Sequence, residues 1–245
     1  MGLEEFVTRA AECIGRPHAT PERLLMTIRL INARPSPYGR KAAIALIEKN
    51  VPYEVTYDMP WREGTCTPQY SPLEQLPILI LDNGKTVYDS SFILDWVDLV
   101  YPDPPLMPSA TEALIAERQL KMLGERLMEV IHSITFELQR PEPGAAWIDR
   151  QSRKMRGALT EIDRQVGTRR PGAGEFLSLG DIAVGTTLMV VEFLIANKFV
   201  EPLEVLDWQT SHPNLVAYAD ALETRESFQK TRPAMMDVDL RSVVG

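Results

Sequence analysis

The chain has 245 residues, enough for one large domain or two small ones at roughly 100 to 200 residues per domain. Its 44% hydrophobic and 24% charged residues belong to a globular protein and exclude a disordered or collagen-like chain. Lys plus Arg number 26 against 34 Asp plus Glu, a net charge of -8, so no overall positive field gathers phosphate backbones or anionic lipid. Neither nucleic acid nor a membrane is an expected partner.

Apolar runs such as Leu76 to Leu81 fall far short of the roughly 18 residues of a membrane span. The two cysteines, Cys13 and Cys66, match neither a disulfide framework nor a paired zinc motif, which predicts a reducing, cytoplasmic setting with Cys66 as a loop thiol. In residues 1–23, Leu3, Phe6, Val7, Ala10 and Ile14 follow helical spacing, but Glu4, Glu5 and Glu12 among them exclude a transit peptide. No apolar core follows a basic start, so a secretory signal is not expected either. This stretch reads as a short amphipathic appendage, and Met26 offers an alternative start that would make it dispensable.

Leu24 to Asn32 predicts a buried strand, stopped by Ala33-Arg34-Pro35-Ser36-Pro37. A helix follows, with Ala42, Ala43, Leu46 and Ile47 on one face, Pro37 in its first turn and Asn50 at its end. Tyr53 to Tyr57 predicts a second strand, and the strand, helix, strand order requires a parallel pair with a right-handed crossover. A long loop passes Trp61 and Cys66. Pro77 to Leu81, the Asn83-Gly84 turn and Thr86 to Tyr88 form a hairpin, and Ser90 opens a helix to Tyr101. The prolines between Tyr101 and Pro108 then end the unit as a stiff linker. Helical patterns occupy Thr111 to Gln139, Ala145 to Val166 and Leu179 to Asn197. The expected fold is α+β: an appendage over 1–23, a thioredoxin-like βαβ-ββα unit with a mixed four-stranded sheet over 24–101, a linker over 102–110, an all-helical domain over 111–232 and a tail over 233–245.

This order resembles the soluble glutathione transferases, and particular residues strengthen the likeness. Ser36-Pro37-Tyr38 is similar to the Ser-Pro-Phe/Tyr start of the first helix in serine-type members, among them the tau class and bacterial relatives. Ser71-Pro72-Leu73-Glu74-Gln75-Leu76-Pro77 resembles the segment Asn-Pro-x-Gly-Lys/Gln-Val/Ile-Pro, with Ser71 in place of Asn and Glu74 in place of Gly. Asp89-Ser90 matches the Glu/Asp-Ser pair, Ser178 to Ala183 the Ser/Thr-x-x-Asp box, and His212 to Phe228 the C-terminal helices. The likeness covers about Leu24 to Arg232. It implies a transferase that activates the glutathione thiol and conjugates it to a hydrophobic electrophile, acting as a homodimer in detoxification, with glutathione as co-substrate and no metal. Two other outcomes stay open: a glutathione-dependent isomerase or ether- or halide-cleaving relative, and a binding or assembly protein that keeps the fold without the chemistry.

The thiol of free glutathione has a pKa near 8.5, so such an enzyme must favour the thiolate. Ser36, at the start of a helix whose free N–H groups and dipole favour an anion, reads on local sequence alone first as a helix cap; the resemblance implies instead that its hydroxyl donates a hydrogen bond to the sulfur. The resemblance implies a cis Leu76–Pro77 bond that leaves the Leu76 backbone to pair with the tripeptide, and Gln75 beside the glycyl carboxylate. Asp89 and Ser90 suit the ammonium and carboxylate of the γ-glutamyl group, and they too would serve as a cap. Glu74 sets a negative charge where an anionic peptide would lie. Tyr38 and Met122 are the candidates for the second-substrate pocket. Ser178 and Asp181 read as a capping box, and Met122, Met128 and Met155 at helical spacing also fit a core. His18, His132 and His212 have no partners at triad or metal-ligand spacing.

Overall fold

The structure, a computed structural model, describes residues 28–200 and 206–236. Four strands, β1 (Ile28–Asn32), β2 (Tyr53–Tyr57), β3 (Ile78–Ile80) and β4 (Thr86–Val87), form one sheet in the order β2-β1-β3-β4. The β1–β2 pair is parallel and the other two pairs are antiparallel, so the sheet is mixed as expected. The crossover helix α1 (Pro37–Glu48) and helix α3 (Ser90–Val100) pack together over the sheet. Between them the loop after β2 contains a one-turn helix, α2 (Thr67–Tyr70), that the sequence did not announce. Its signal is a polar hub: the Asp58 carboxylate accepts from Thr65 Oγ1 at 2.7 Å, Cys66 N at 3.0 Å and Thr67 Oγ1 at 3.0 Å, which folds a stretch without apolar period.

The second half is helical: α4 (Thr111–Glu137), α5 (Ala145–Val166), α6 (Leu179–Ala196), α7 (Trp208–Ser211), α8 (Pro213–Glu223) and α9 (Glu226–Lys230). Leu179 to Val191 of α6 are all buried, because this helix is apolar on every side and can sit only at the centre of a bundle. By length and composition α6 could cross a membrane; here 72% of it is buried in the core. Ser178 and Asp181 cap it reciprocally, as expected, and Asp181 also accepts from the Tyr218 hydroxyl at 2.6 Å and pairs with Arg169. Gly124 lets α4 cross α6 closely; a Cβ there would lie 2.8 Å from the backbone of Ala183 and Val184. Met128 and Met155 are core residues.

The linker is fastened rather than merely stiff. Asp98 accepts from Lys49 Nζ at 2.5 Å and Leu106 N at 2.8 Å, and buried Leu106 accepts from Leu179 N at 2.9 Å. Three expectations need correction or fall elsewhere. Cys66 is buried and disulfide-bonded, not a free loop thiol; framework spacing rules do not exclude a single bridge, and cysteine usage therefore gives no argument for a reducing compartment. The appendage with Cys13 and Met26, and residues 24–27 of the first strand, lie outside the described residues. So does the tail beyond residue 236.

Candidate functional site

The sheet register gathers three loops at one end. Ile31 lies opposite Ile78 and Leu79 opposite Val87, so the chain leaves β1, enters β3 and leaves β4 on the same edge. Ser36, Leu76-Pro77 and Asp89-Ser90 are thereby brought together from positions far apart in sequence. At that edge α1 and α3 both begin, and both present N-terminal N–H groups.

Ser36 is the N-cap of α1, and its Oγ accepts from Gly39 N at 3.2 Å. The cap uses an acceptor lone pair and leaves the hydroxyl proton free to donate, so capping and sulfur binding are compatible in one side chain. Gly39 has a steric reason: a Cβ there would fall 1.6 Å from Asn32 Oδ1, an oxygen already held by Ala33 N at 2.8 Å.

Leu76–Pro77 is cis. Among the described residues the Leu76 N–H and C=O have no backbone partner, which leaves one donor and one acceptor for an extended peptide. Gln75 is exposed beside them. Ser71 reproduces the turn for which the related segment uses Asn: its Oγ accepts from Leu73 N at 3.2 Å and its carbonyl from Glu74 N at 3.1 Å. Glu74 ends that turn with φ at 51°, the left-handed region that favours glycine.

Asp89 caps α3 through Oδ1, which accepts from Ser91 N at 3.0 Å and Phe92 N at 3.2 Å, while Ser90 is buried behind it. An ionic cluster from the helical domain supports this turn. Lys121 Nζ donates to Ser91 O at 3.2 Å, Ser91 Oγ at 3.0 Å and Asp95 at 2.9 Å. Glu125 accepts from Ser91 Oγ at 3.1 Å and from Lys41 of α1 at 3.4 Å. Burial pulls the Lys41 ammonium below its ordinary pKa, and Glu125 offsets part of that.

An aromatic row runs from the first turn of α1 across α4 to the loop after β2. Tyr38 meets His132 of α4 edge-on with ring centroids 5.6 Å apart, His132 meets Phe136 at 4.6 Å, and Phe136 meets Trp61 of the loop after β2 at 6.3 Å. Burial, with Glu129 and Asp89 nearby, raises the Tyr38 pKa, and burial alone lowers that of His132. The i, i+4 pair His132 and Phe136 continues the α4 face that carries the i, i+4 pair Lys121 and Glu125, a stripe whose partners on α1, on α3 and in the loop after β2 no local pattern marks. Met122 is not brought to this row. It is exposed and lies about 80° round α4 from His132. A separate groove of about 450 Å³ between α4 and α5, lined by Leu123, Val130 and Trp147, holds none of these side chains.

Comparison with known proteins agrees with this geometry. Residues 35–99 match the family described as glutathione S-transferase, N-terminal domain, and residues 145–221 its C-terminal domain. A glutathione S-transferase of Methylobacterium radiotolerans, crystallised in complex with glutathione sulfonate, is 39% identical, with a TM-score of 0.77 over 87% of this chain and 98% of that one. Another from Methylobacillus flagellatus, with glutathione bound, is 29% identical with a TM-score of 0.76 over 85% and 100%. The uncharacterized GST-like protein YibF of Escherichia coli is 25% identical over 84% of this chain and 98% of its own length.

Proposed function

The chain belongs to the glutathione S-transferase family, and from that premise we propose that it ionises the glutathione thiol and joins the sulfur to a hydrophobic electrophile held between the sheet domain and the helical domain. Residues 24–101 are assigned as the glutathione-binding unit, 102–110 as the linker and 111–232 as the wall of the second pocket. The observation that carries the reading is Ser36, a cap whose hydroxyl proton remains uncommitted at the positive end of α1. The same sheet edge holds the Leu76 backbone for the middle of the tripeptide and Asp89-Ser90 for its γ-glutamyl head. Related proteins bind glutathione or its sulfonate, which is the ligand this edge fits. The exposed Glu74 carboxylate favours one rival, a family member that keeps the fold without the chemistry.

Retention on immobilised glutathione separates the two readings, and thiolate absorbance tests Ser36. The bound thiol of the wild type is expected to titrate about two units below the free value, roughly 2.7 kcal/mol of thiolate stabilisation. In Ser36→Ala it returns toward about 8.5 with glutathione still bound. An unchanged pKa in that variant removes Ser36 from the chemistry.

A further inference from the structure

Cys66 is disulfide-bonded, and the sequence holds one other cysteine, Cys13, in the amphipathic stretch ahead of the sheet. Cys66 stands at one end of β2: it opens α2, and its N–H donates to the carboxylate of Asp58, the residue that follows the strand, at 3.0 Å. The described chain begins at the other end, where Ile28 lies opposite Tyr53. A segment bridged to Cys66 through residue 13 must therefore return along β2, and residues 14–27 are ample for a strand of five residues at about 3.3 Å each.

That path follows an open edge. Among the described residues β2 pairs only with β1. Asp58 N donates to Asn32 O at 2.9 Å, so by strand alternation the N–H groups of Val55 and Tyr57 point away from β1. Their side chains are 40% and 46% exposed, and Trp61 in the loop beyond is 43% exposed. Cys66 is buried although residues 61–64 before it are exposed, and Arg62 and Gly64 of this loop, like Cys66, have partners outside the described residues.

We propose that Cys13 is the partner of Cys66 and that the N-terminal appendage, residues 1–23, docks on the outer side of β2 and the loop after it. Its stripe of Leu3, Phe6, Val7, Ala10 and Ile14 lies against Val55, Tyr57 and Trp61. Cys13 follows Phe6 by seven residues, within about 20° round a helix, so the bridge turns that stripe toward the surface that anchors it. Bridged residues keep their Cα atoms within about 7 Å, and a helix rises about 1.5 Å per residue, so Leu3 stays within about 22 Å of the anchor. That reach spans β2. A helix of this length is marginal alone in water, and burial of its apolar side supplies what orders it. The edge strand in turn gains a cover, which keeps its unpaired backbone groups from another chain. The occupant is thus a segment of the same chain, held by one covalent bond.

Peptide mapping of the unreduced full-length protein, unfolded with iodoacetamide present, tests the bridge. Linked peptides carrying Cys13 and Cys66, in a species of one chain's mass, are expected. Two alkylated thiols, or a link between two chains that runs as a dimer on a non-reducing gel, overturn the proposal. Hydrogen exchange over residues 53–61 tests the seat, comparing wild type with Phe6→Glu plus Ile14→Glu, which spoils the stripe and leaves both cysteines. These amides are expected to exchange at least about tenfold faster in the variant, while those of β1 and β3 stay within about twofold. A change over 53–61 below about threefold overturns the docking even where the bridge is found. Equal quickening in β1 and β3 overturns it too, because the stripe then supports the sheet as a whole and not this edge. Exchange over 53–61 that slows as protein concentration rises assigns the edge to a second copy and overturns the proposal as well.

Discussion

In the proposed function Asp89 serves two demands with one carboxylate: Oδ1 is committed to the first N–H groups of α3, and Oδ2 is assigned to the ligand ammonium. Asp89→Asn keeps an oxygen for the cap and removes the charge. The glutathione KM should rise about tenfold or more, as for a charge-assisted bond of about 1.5–3 kcal/mol, with little change in thermal stability. Asp89→Ala should add the loss of the cap, about 1 kcal/mol. An unchanged KM in the Asn variant would leave Asp89 as a cap alone. Glu74 is the opposite case, a residue at odds with its backbone. A left-handed residue with a side chain costs about 1–2 kcal/mol, of which glycine returns part to unfolded-chain entropy. Glu74→Gly is therefore expected to stabilise the fold by about 0.5–1 kcal/mol in urea unfolding and to lower the glutathione KM. Glu74→Gln isolates the charge: it should lower KM without the gain in stability. The sequence showed that Glu74 departs from the related pattern, yet only the backbone angle explains why glycine belongs there.

At the scale of elements, α1 decides where Ser36 sits, and the helical domain holds α1 from several sides. Arg40 donates to Glu223 at 3.0 Å and to Phe228 O at 3.0 Å, and Lys41 reaches Glu125. At the far end of the helix Glu48 accepts from Arg225 Nε at 2.9 Å and Nη2 at 2.8 Å, and from Ser227. Burial tends to raise the Glu48 pKa, but the hydrogen bonds from Arg225 and Ser227 and the Arg225 charge outweigh it and hold the carboxyl below its ordinary value. A carboxyl depressed by folding contributes stability that is complete above its unfolded pKa and is lost as pH falls through the folded value. Thermal melts should thus fall more steeply below about pH 4.5 in the wild type than in Glu48→Gln, which starts less stable at pH 7. Equal acid slopes would deny Glu48 this part. None of these contacts was legible in the sequence, because Arg40, Glu48, Glu223 and Arg225 look like solvated charges until the chain has folded across more than a hundred residues.

For the whole molecule, what could be read from the sequence follows from how locally each feature is encoded. Apolar period, prolines and the Asn83-Gly84 turn located the described strand and long-helix ends to within a residue or two, the start of β1 lying outside the described residues, and the Ser-Pro, Leu-Pro and Asp-Ser pairs marked one sheet edge of the candidate site. The aromatic row of Trp61, His132 and Phe136 is assembled from a loop and a helix that become neighbours only when the two halves pack, so no local pattern marked it. The exposed apolar surface of α3 and α4 is an intermediate case. On α3, Ile93 and Val97 pack inside the chain, whereas Phe92, Leu99 and Val100 are exposed, and Ile115 and Met122 are exposed on the adjoining half of α4. Helices α3 and α4 are tied together by Lys121, so these five apolar side chains stand on neighbouring elements of one rigid surface. We propose that two copies pair through this concentration, an isologous pairing covering the same patch on both. Sedimentation at micromolar concentration is expected to give a mass near twice 27.6 kDa. Phe92→Glu together with Ile115→Glu should shift it toward the monomer while leaving the circular dichroism unchanged, because neither side chain belongs to the core. A wild type that sediments as a monomer would show that the exposed face of α3 and α4 has no self-complementary partner.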